Sequence, residues 1–396
     1  ARQASAPMAN PTPTPFRNAV PDADLADLRL RLAHARLPDD LEDAGWAYGI
    51  PSAVLRDFVD YWRTGYDWRA EEARLNAFPQ VVTTAAGLRV HAFHVRSPEP
   101  GAVPLVLTHG WPGSPVEFAA LMGPLADPRA HGGDPADAFH VVCPSMPGYA
   151  FSGPTREPGV DVHRVADAVA ELMSQLGYAR FVAQGGDWGA LVTRRLGEAY
   201  ADRCLGVHFN MCFAMPDDLA APAAWDGVTD AEKAAFAEAG ARIADGTGYM
   251  AIQSTKPNTL GHALGDSPAG LAGWILEKFH AWSDCDGALE NAYTKDQLLT
   301  NVMTYWVTGT AASAARLYCE SARAGTAATD PWPGRVDVPT GFARYPREML
   351  QTPRIWAESK YNLVHFAQME RGGHFAAFEQ PEAFADDLRA FARKVR

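Results

Sequence analysis

"AQGGDWGALVTRR", residues 183–195, decides how the rest of the chain is read. A short apolar run ends in glycines, the chain turns sharply, and a helical pattern begins. Gly185 and Gly189 frame Asp187, which puts a carboxylate at the tightest point of a strand-to-helix turn. Glycines there let the strand and helix backbones approach closely. Asp at such a point can act as a helix N-cap, or it can be presented as a reactive group. The two framing glycines favour the second reading.

Working outward, "PLVLTHG" (104–110), "FHVVCPSMPG" (139–148) and "CLGVHFN" (204–210) match the run before Asp187. Each is short, β-rich and apolar on both faces, as buried parallel strands are. Helical stretches at 116–126, 161–177 and 189–201 separate them, so the pattern predicts an α/β fold with a mostly parallel sheet. Ahead of them, "VVTTAAGLRVHAFHV" (81–95) alternates around Gly87 and reads as a hairpin. The core's first part is expected over 81–213. Residues 214–335 are helical, aromatic and broken by Pro and Gly, which predicts a cap over the strand ends. Ligands in such sheets bind at those ends. "DVPTGFARY" (337–345) and "VHFAQMERGGHF" (364–375) return to strand, so the cap precedes the last two strands and 336–396 completes the core.

Before the hairpin, residues 16–80 predict a helical arm packed on the core. "DADLADLRLRLAHARLP" (22–38) repeats Leu at helical spacing, and "SAVLRDFVDYWRTGYDW" (52–68) opens on Ser52 as an N-cap. Residues 1–15, small, polar and proline-rich, predict a disordered lead.

Composition bounds the partners. A net charge of -12 with no basic stripe excludes nucleic acid and disfavours anionic membranes. No apolar run approaches the ~20 residues that span a bilayer, and the start lacks a signal peptide's pattern. Five cysteines without CxxC spacing suggest reduced thiols in a cytoplasmic chain, with neither a disulfide frame nor a metal site. Association into a homo-oligomer stays open.

The chemistry lies at the strand ends. In α/β-hydrolases the nucleophile elbow reads Gly-x-Ser-x-Gly, one oxyanion-hole N–H follows the nucleophile, and another comes from a loop after an earlier strand. Asp187 takes the serine's place. The N–H groups of Trp188 and of Trp111, in "THGWPGSPVEF" (108–118), form the expected oxyanion hole. Pro112 admits a cis bond after Trp111. The order nucleophile, acid, histidine selects His374 on its glycine turn. For the acid it selects Glu348, in "GFARYPREMLQTP" (341–353), over Asp337, Glu358 and Glu370. A carboxylate attacks saturated carbon and forms an alkyl ester, which a histidine-activated water can then hydrolyse. Epoxide oxygen or halide is the leaving group. An epoxide needs proton donors opposite, which Tyr249 in "GTGYMAIQSTKP" (246–257) and Tyr318 in "AARLYCES" (314–321) could supply.

With "HGWPGS", "PGYAFS", "GGDWG", "GYMAIQSTKP", "YWVTGT", "YPREML" and "RGGHFAAFEQPE" in this order, the chain from Phe16 to Arg396 resembles the microsomal-type epoxide hydrolases of the α/β-hydrolase fold. The resemblance implies Asp187 as nucleophile, His374 as base, Glu348 as the acid that orients it, and Tyr249 and Tyr318 as paired donors to the epoxide oxygen. It implies no metal and no organic cofactor. Mammalian members carry an N-terminal anchor that this chain lacks, so it looks like the soluble bacterial members, some of which serve natural-product pathways. The expected substrate is a small hydrophobic, aryl-bearing epoxide, with haloalkane dehalogenation the alternative on the same Asp.

Overall fold

The computed structural model describes residues 11–327 and 334–396. Residues 1–10 of the expected lead and 328–333 near the end of the expected cap lie outside them. The strands are β1 Thr14–Pro15, β2 Gln80–Ala85, β3 Leu88–Val95, β4 Val103–Thr108, β5 Phe139–Ser145, β6 Phe181–Gly185, β7 Cys204–Phe209, β8 Val336–Arg344 and β9 Tyr361–Gln368. They form one sheet in the order β1-β2-β3-β5-β4-β6-β7-β8-β9. The first four in that order pair antiparallel, and every pair from β5-β4 to β8-β9 is parallel. Ala86 and Gly87 join β2 to β3 with φ of +48° and +75°. Positive φ at both centres is the type I′ geometry that matches strand twist.

The parallel strands are apolar on both faces because helices cover both. Val162–Gln175 and Trp188–Ala199 pack with one side chain set, while Ala119–Ala126 and Pro381–Ala392 pack with the other. Among the described residues between β7 and β8 lie six longer helices, Asp230–Ala244, Gly248–Thr255, Pro257–Asp266, Pro268–Trp282, Lys295–Trp306 and Ala311–Ala324. They form the cap.

Three sequence expectations need correction. The lead is not wholly without structure, since Thr14 and Pro15 pair with Val82 and Val81 at the sheet edge. Pro is tolerated there because an edge strand leaves half its N–H groups unpaired. Ser52 is not the cap. The N-cap position falls on Pro51, and the Ser52 N–H and hydroxyl both donate to Asp40, at 2.8 Å each. The arm is not packed on the core alone: Phe16, Leu75 and Phe78 pack on the core, while helices Asp22–Ala33 and Ser52–Thr64 meet the cap helices Pro268–Trp282 and Lys295–Trp306. Arg31 donates to Asp266 at 2.9 Å, Tyr61 to Asp296 at 2.8 Å, and Trp46 stacks on His280 at 3.6 Å. Leu28, Phe58 and Trp62 of the two arm helices are buried.

Candidate active site

The β6 turn is built from contacts that only glycine allows. A Cβ on Gly185 would lie 2.1 Å from the Gly189 carbonyl oxygen, and one on Gly189 would lie 1.9 Å from that of Thr108. This close fit of strand and helix leaves Asp187 at φ +52°, ψ −129°, a conformation that non-glycine residues adopt only when their surroundings enforce it. Asp187 occupies the N-cap position of helix Trp188–Ala199, yet its side chain makes no capping bond. The carboxylate turns outward instead. The Trp111 N–H donates to its Oδ1 at 2.8 Å, and His374 Nε2 stands 3.4 Å from its Oδ2.

Trp111 reaches that point because Gly110 has no side chain, for a Cβ there would fall 2.3 Å from Asp187 Cβ. The Trp111–Pro112 bond is cis. His109 braces the same loop, with Nδ1 at 2.9 Å from the Gly110 carbonyl oxygen and Nε2 accepting from the Met146 N–H at 3.1 Å.

Glu348 follows β8 and His374 follows β9, so both come to the carboxyl ends of neighbouring strands. His374 Nδ1 lies 2.9 Å and 3.2 Å from the two Glu348 oxygens. Burial disfavours a charged imidazole, but Glu348 and Asp187 outweigh it and raise the His374 pKa well above its ordinary value. The other acids stay apart. Asp337 pairs with Arg335, Glu358 pairs with Arg354, and Glu370 is exposed.

Tyr249 and Tyr318 descend from the cap, both buried. Their rings are 6.0 Å apart, Tyr249 stacks on Trp111 at 5.0 Å, and Tyr318 meets Trp188 edge-on at 4.7 Å. Burial pushes both phenols well above their ordinary pKa, with Asp187 adding to the shift, so both hydroxyls stay protonated at neutral pH. They border a cavity of about 610 Å³ whose wall includes Asp187, Trp188, Phe213, Met215, Met250 and Trp282.

Sequence reasoning missed four residues here. The Glu379 carboxylate accepts from the N–H groups of Asp284 at 2.7 Å, Gly373 at 3.0 Å and Phe375 at 3.0 Å, which fixes the turn on both sides of His374. Asn210 donates to the His374 carbonyl oxygen at 3.4 Å. Lys278, buried in the cap, holds its ammonium 4.8 Å from the Tyr249 ring centre. Glu117 lies buried beside Asp187 and His374. Only Asn210, directly after β7, carried a positional signal in the sequence.

The chain is similar to known epoxide hydrolases over almost its whole length. The family models "Epoxide hydrolase N terminus" and "alpha/beta hydrolase fold" match residues 13–118 and 103–274. Epoxide hydrolase 1 of Sus scrofa is 38% identical over 398 residues, covering 95% of this chain and 88% of its own. A Stigmatella aurantiaca relative, provisionally named an epoxide hydrolase, is 45% identical and covers 97% of this chain and 85% of its own. The solved Aspergillus niger epoxide hydrolase superposes with a TM-score of 0.84 at 34% identity, covering 97% of each chain. Among the described residues, no helix is long and apolar enough to cross a membrane. The α/β-hydrolase core, the helical cap and these near full-length matches place the chain in the epoxide hydrolase family, as an enzyme of that class.

Proposed function

We propose that the enzyme opens a hydrophobic epoxide to a vicinal diol through an ester on Asp187. The observation that carries this reading is the carboxylate at the elbow. Asp187 is held at Oδ1 by the Trp111 N–H, makes no capping bond, and faces a cavity bordered by two protonated phenols.

In the first step Oδ2 attacks an epoxide carbon while Tyr249 and Tyr318 hydrogen-bond the ring oxygen and supply its proton. An alkyl ester forms and the C–O bond of the ring breaks. In the second step His374, oriented by Glu348, takes a proton from water, and that water attacks Asp187 Cγ. Oδ1 then carries the negative charge against the N–H groups of Trp111 and Trp188. Collapse of the intermediate expels the diol. A hydroxyl at position 187 could not do both parts, because its attack on carbon would leave an ether with no carbonyl for water to reach.

The cavity supports a hydrophobic, aryl-bearing substrate. Trp188, Phe213 and Trp282 offer ring faces, while Met215 and Met250 can adapt to different shapes. The test is His374→Gln mixed with styrene oxide and with a linear alkyl epoxide. Mass spectrometry should show one added substrate mass on the peptide carrying Asp187, larger for the aryl epoxide at equal times. Steady diol release by this variant, or an adduct elsewhere, would refute the two-step reading.

A further inference from the structure

Asp187 also borders a second and much smaller cavity, of about 20 Å³. Its wall includes Glu117, Gly186, Asp187, Asn210, His374 and Phe375. Of the described residues lining the two cavities, only Asp187 is common to both. His374 lines the small cavity and not the large one. A polar space of this size accommodates one water and no organic substrate.

Glu117 lines this space, and its carboxyl lies in the room that Gly113 leaves, where a Cβ would fall 1.6 Å from Oε1. Glu117 is 8% exposed, and its charge couples to His374 and Asp187. The backbone of Ser114 also bonds it. Burial pushes its pKa up to about 8, with Asp187 adding to the rise and His374 opposing it. At neutral pH it is therefore largely a neutral acid, whose carbonyl oxygen can accept a hydrogen bond without adding a third anion to the site.

We infer that the small cavity seats the hydrolytic water and that Glu117 is the second group, with His374, that holds this water for attack on Asp187 Cγ. The inference rests on the covalent reading above. One water proton passes to His374 Nε2 and the other bonds to Glu117. The water oxygen joins Cγ, the bond from Cγ to the alkyl oxygen breaks, and the departing alkoxide takes the proton from His374. The remaining proton of the new carboxyl moves to His374, which restores its ion pair with Asp187. The two cavities thereby assign the two reactants to separate spaces that share one carboxylate.

The test separates the two steps by single-turnover stopped flow on tryptophan fluorescence, with quenched samples analysed for the Asp187 ester. Glu117→Met and Glu117→Leu, two apolar replacements of similar size, guard against a folding failure in either one. Both should form the ester within about twofold of the wild-type rate and hydrolyse it at least about 10-fold more slowly, the cost of one lost hydrogen bond at the transition state. Glu117→Gln, which keeps an acceptor oxygen, should recover hydrolysis to within about threefold. Hydrolysis at the wild-type rate in the apolar variants would overturn the assignment and leave the covalent reading standing. Equal slowing of both steps would also overturn it, because Glu117 would then only support its loop. Absence of any ester in these variants and in His374→Gln alike would defeat the covalent reading itself.

Discussion

Replacing Glu379 by Ala should loosen the turn that carries His374 and so uncouple folding stability and ester hydrolysis from ester formation. The carboxylate serves three backbone N–H groups, those of Asp284, Gly373 and Phe375. They lie at the meeting of the cap's Pro268–Trp282 helix end with the His374 turn, where the His374 N–H also donates to the Trp282 carbonyl oxygen at 3.0 Å. Each net hydrogen bond contributes ~1 kcal/mol, so removing the shared acceptor costs about 3 kcal/mol. A chain of this length unfolds with an entropy of roughly 0.8 kcal/mol/K, and the loss corresponds to ~4 °C in Tm. Glu379→Gln keeps one acceptor oxygen, which can still serve the Asp284 and Gly373 pair, and should cost about 1 kcal/mol. Scanning calorimetry measures the first quantity. Single-turnover kinetics measures the second, where hydrolysis should slow by about 10-fold while ester formation changes by less than about twofold. An Ala variant with unchanged Tm, or one in which both chemical steps slow together, would refute the view that Glu379 acts by holding His374.

The two phenols should act jointly. Tyr249→Phe or Tyr318→Phe alone should slow ester formation, and the double variant should lose ~10²–10⁴-fold, with circular dichroism unchanged; a double variant within a few-fold of wild type would move the proton donor elsewhere. Stability should fall as pH rises from about 6.5 to 8, above the range in which the buried His91, His94 and His109, held neutral by the fold, act in the opposite sense. Burial raises Glu117 to about 8 and Glu379 to about 7 from 4.5, so in that window the folded chain keeps protons that the unfolded chain has released. Melting temperatures at pH 6.5, 7, 7.5 and 8 check this, and Glu117→Gln should flatten the slope.

The strand-end logic explains what the sequence could disclose. A parallel sheet with right-handed crossovers sends the ends of β6, β8 and β9 to one edge, so chain order alone places Asp187, Glu348 and His374 together. The glycines reveal themselves because a side chain would collide with neighbouring backbone at 185 and 189 and with the Asp187 side chain at 110. Glu117 and Glu379 gave no such signal. Each lies in or beside a short helical turn, where an acidic residue is ordinarily solvated, and its burial comes from segments distant in sequence, Gly186 and His374 for Glu117 and Asp284 for Glu379. Lys278 was hidden for the same reason, as a lysine in an otherwise apolar helix whose partner ring at Tyr249 arrives from another helix. The arm's aromatic face shows that it docks, but not that its helices meet the cap as well as the core. The complementary charges Asp266 and Asp296 are on the cap, more than 200 residues away in sequence.

Placing His374 between two carboxylates also sets when it can act as a base. In the resting site, Glu348 and Asp187 both favour the imidazolium, and a protonated His374 cannot accept a proton from water. The proposed first step changes this. Esterification makes Asp187 neutral, removes one of the two anions, and lowers the proton affinity of His374 when a base is required. The proton it releases offsets the one that Tyr249 or Tyr318 gave to the epoxide oxygen. The triad therefore carries one net negative charge before and after the ester forms, as anion, cation and anion first, and as ester, neutral imidazole and Glu348 afterwards. Hydrolysis returns a carboxylate to Asp187 and a proton to His374, again with no net change. A buried site pays heavily for unbalanced charge. This constancy gives a physical reason for a neutral Glu117 beside the triad: a third permanent anion would hold the proton on His374 through both steps and deprive the water of its base.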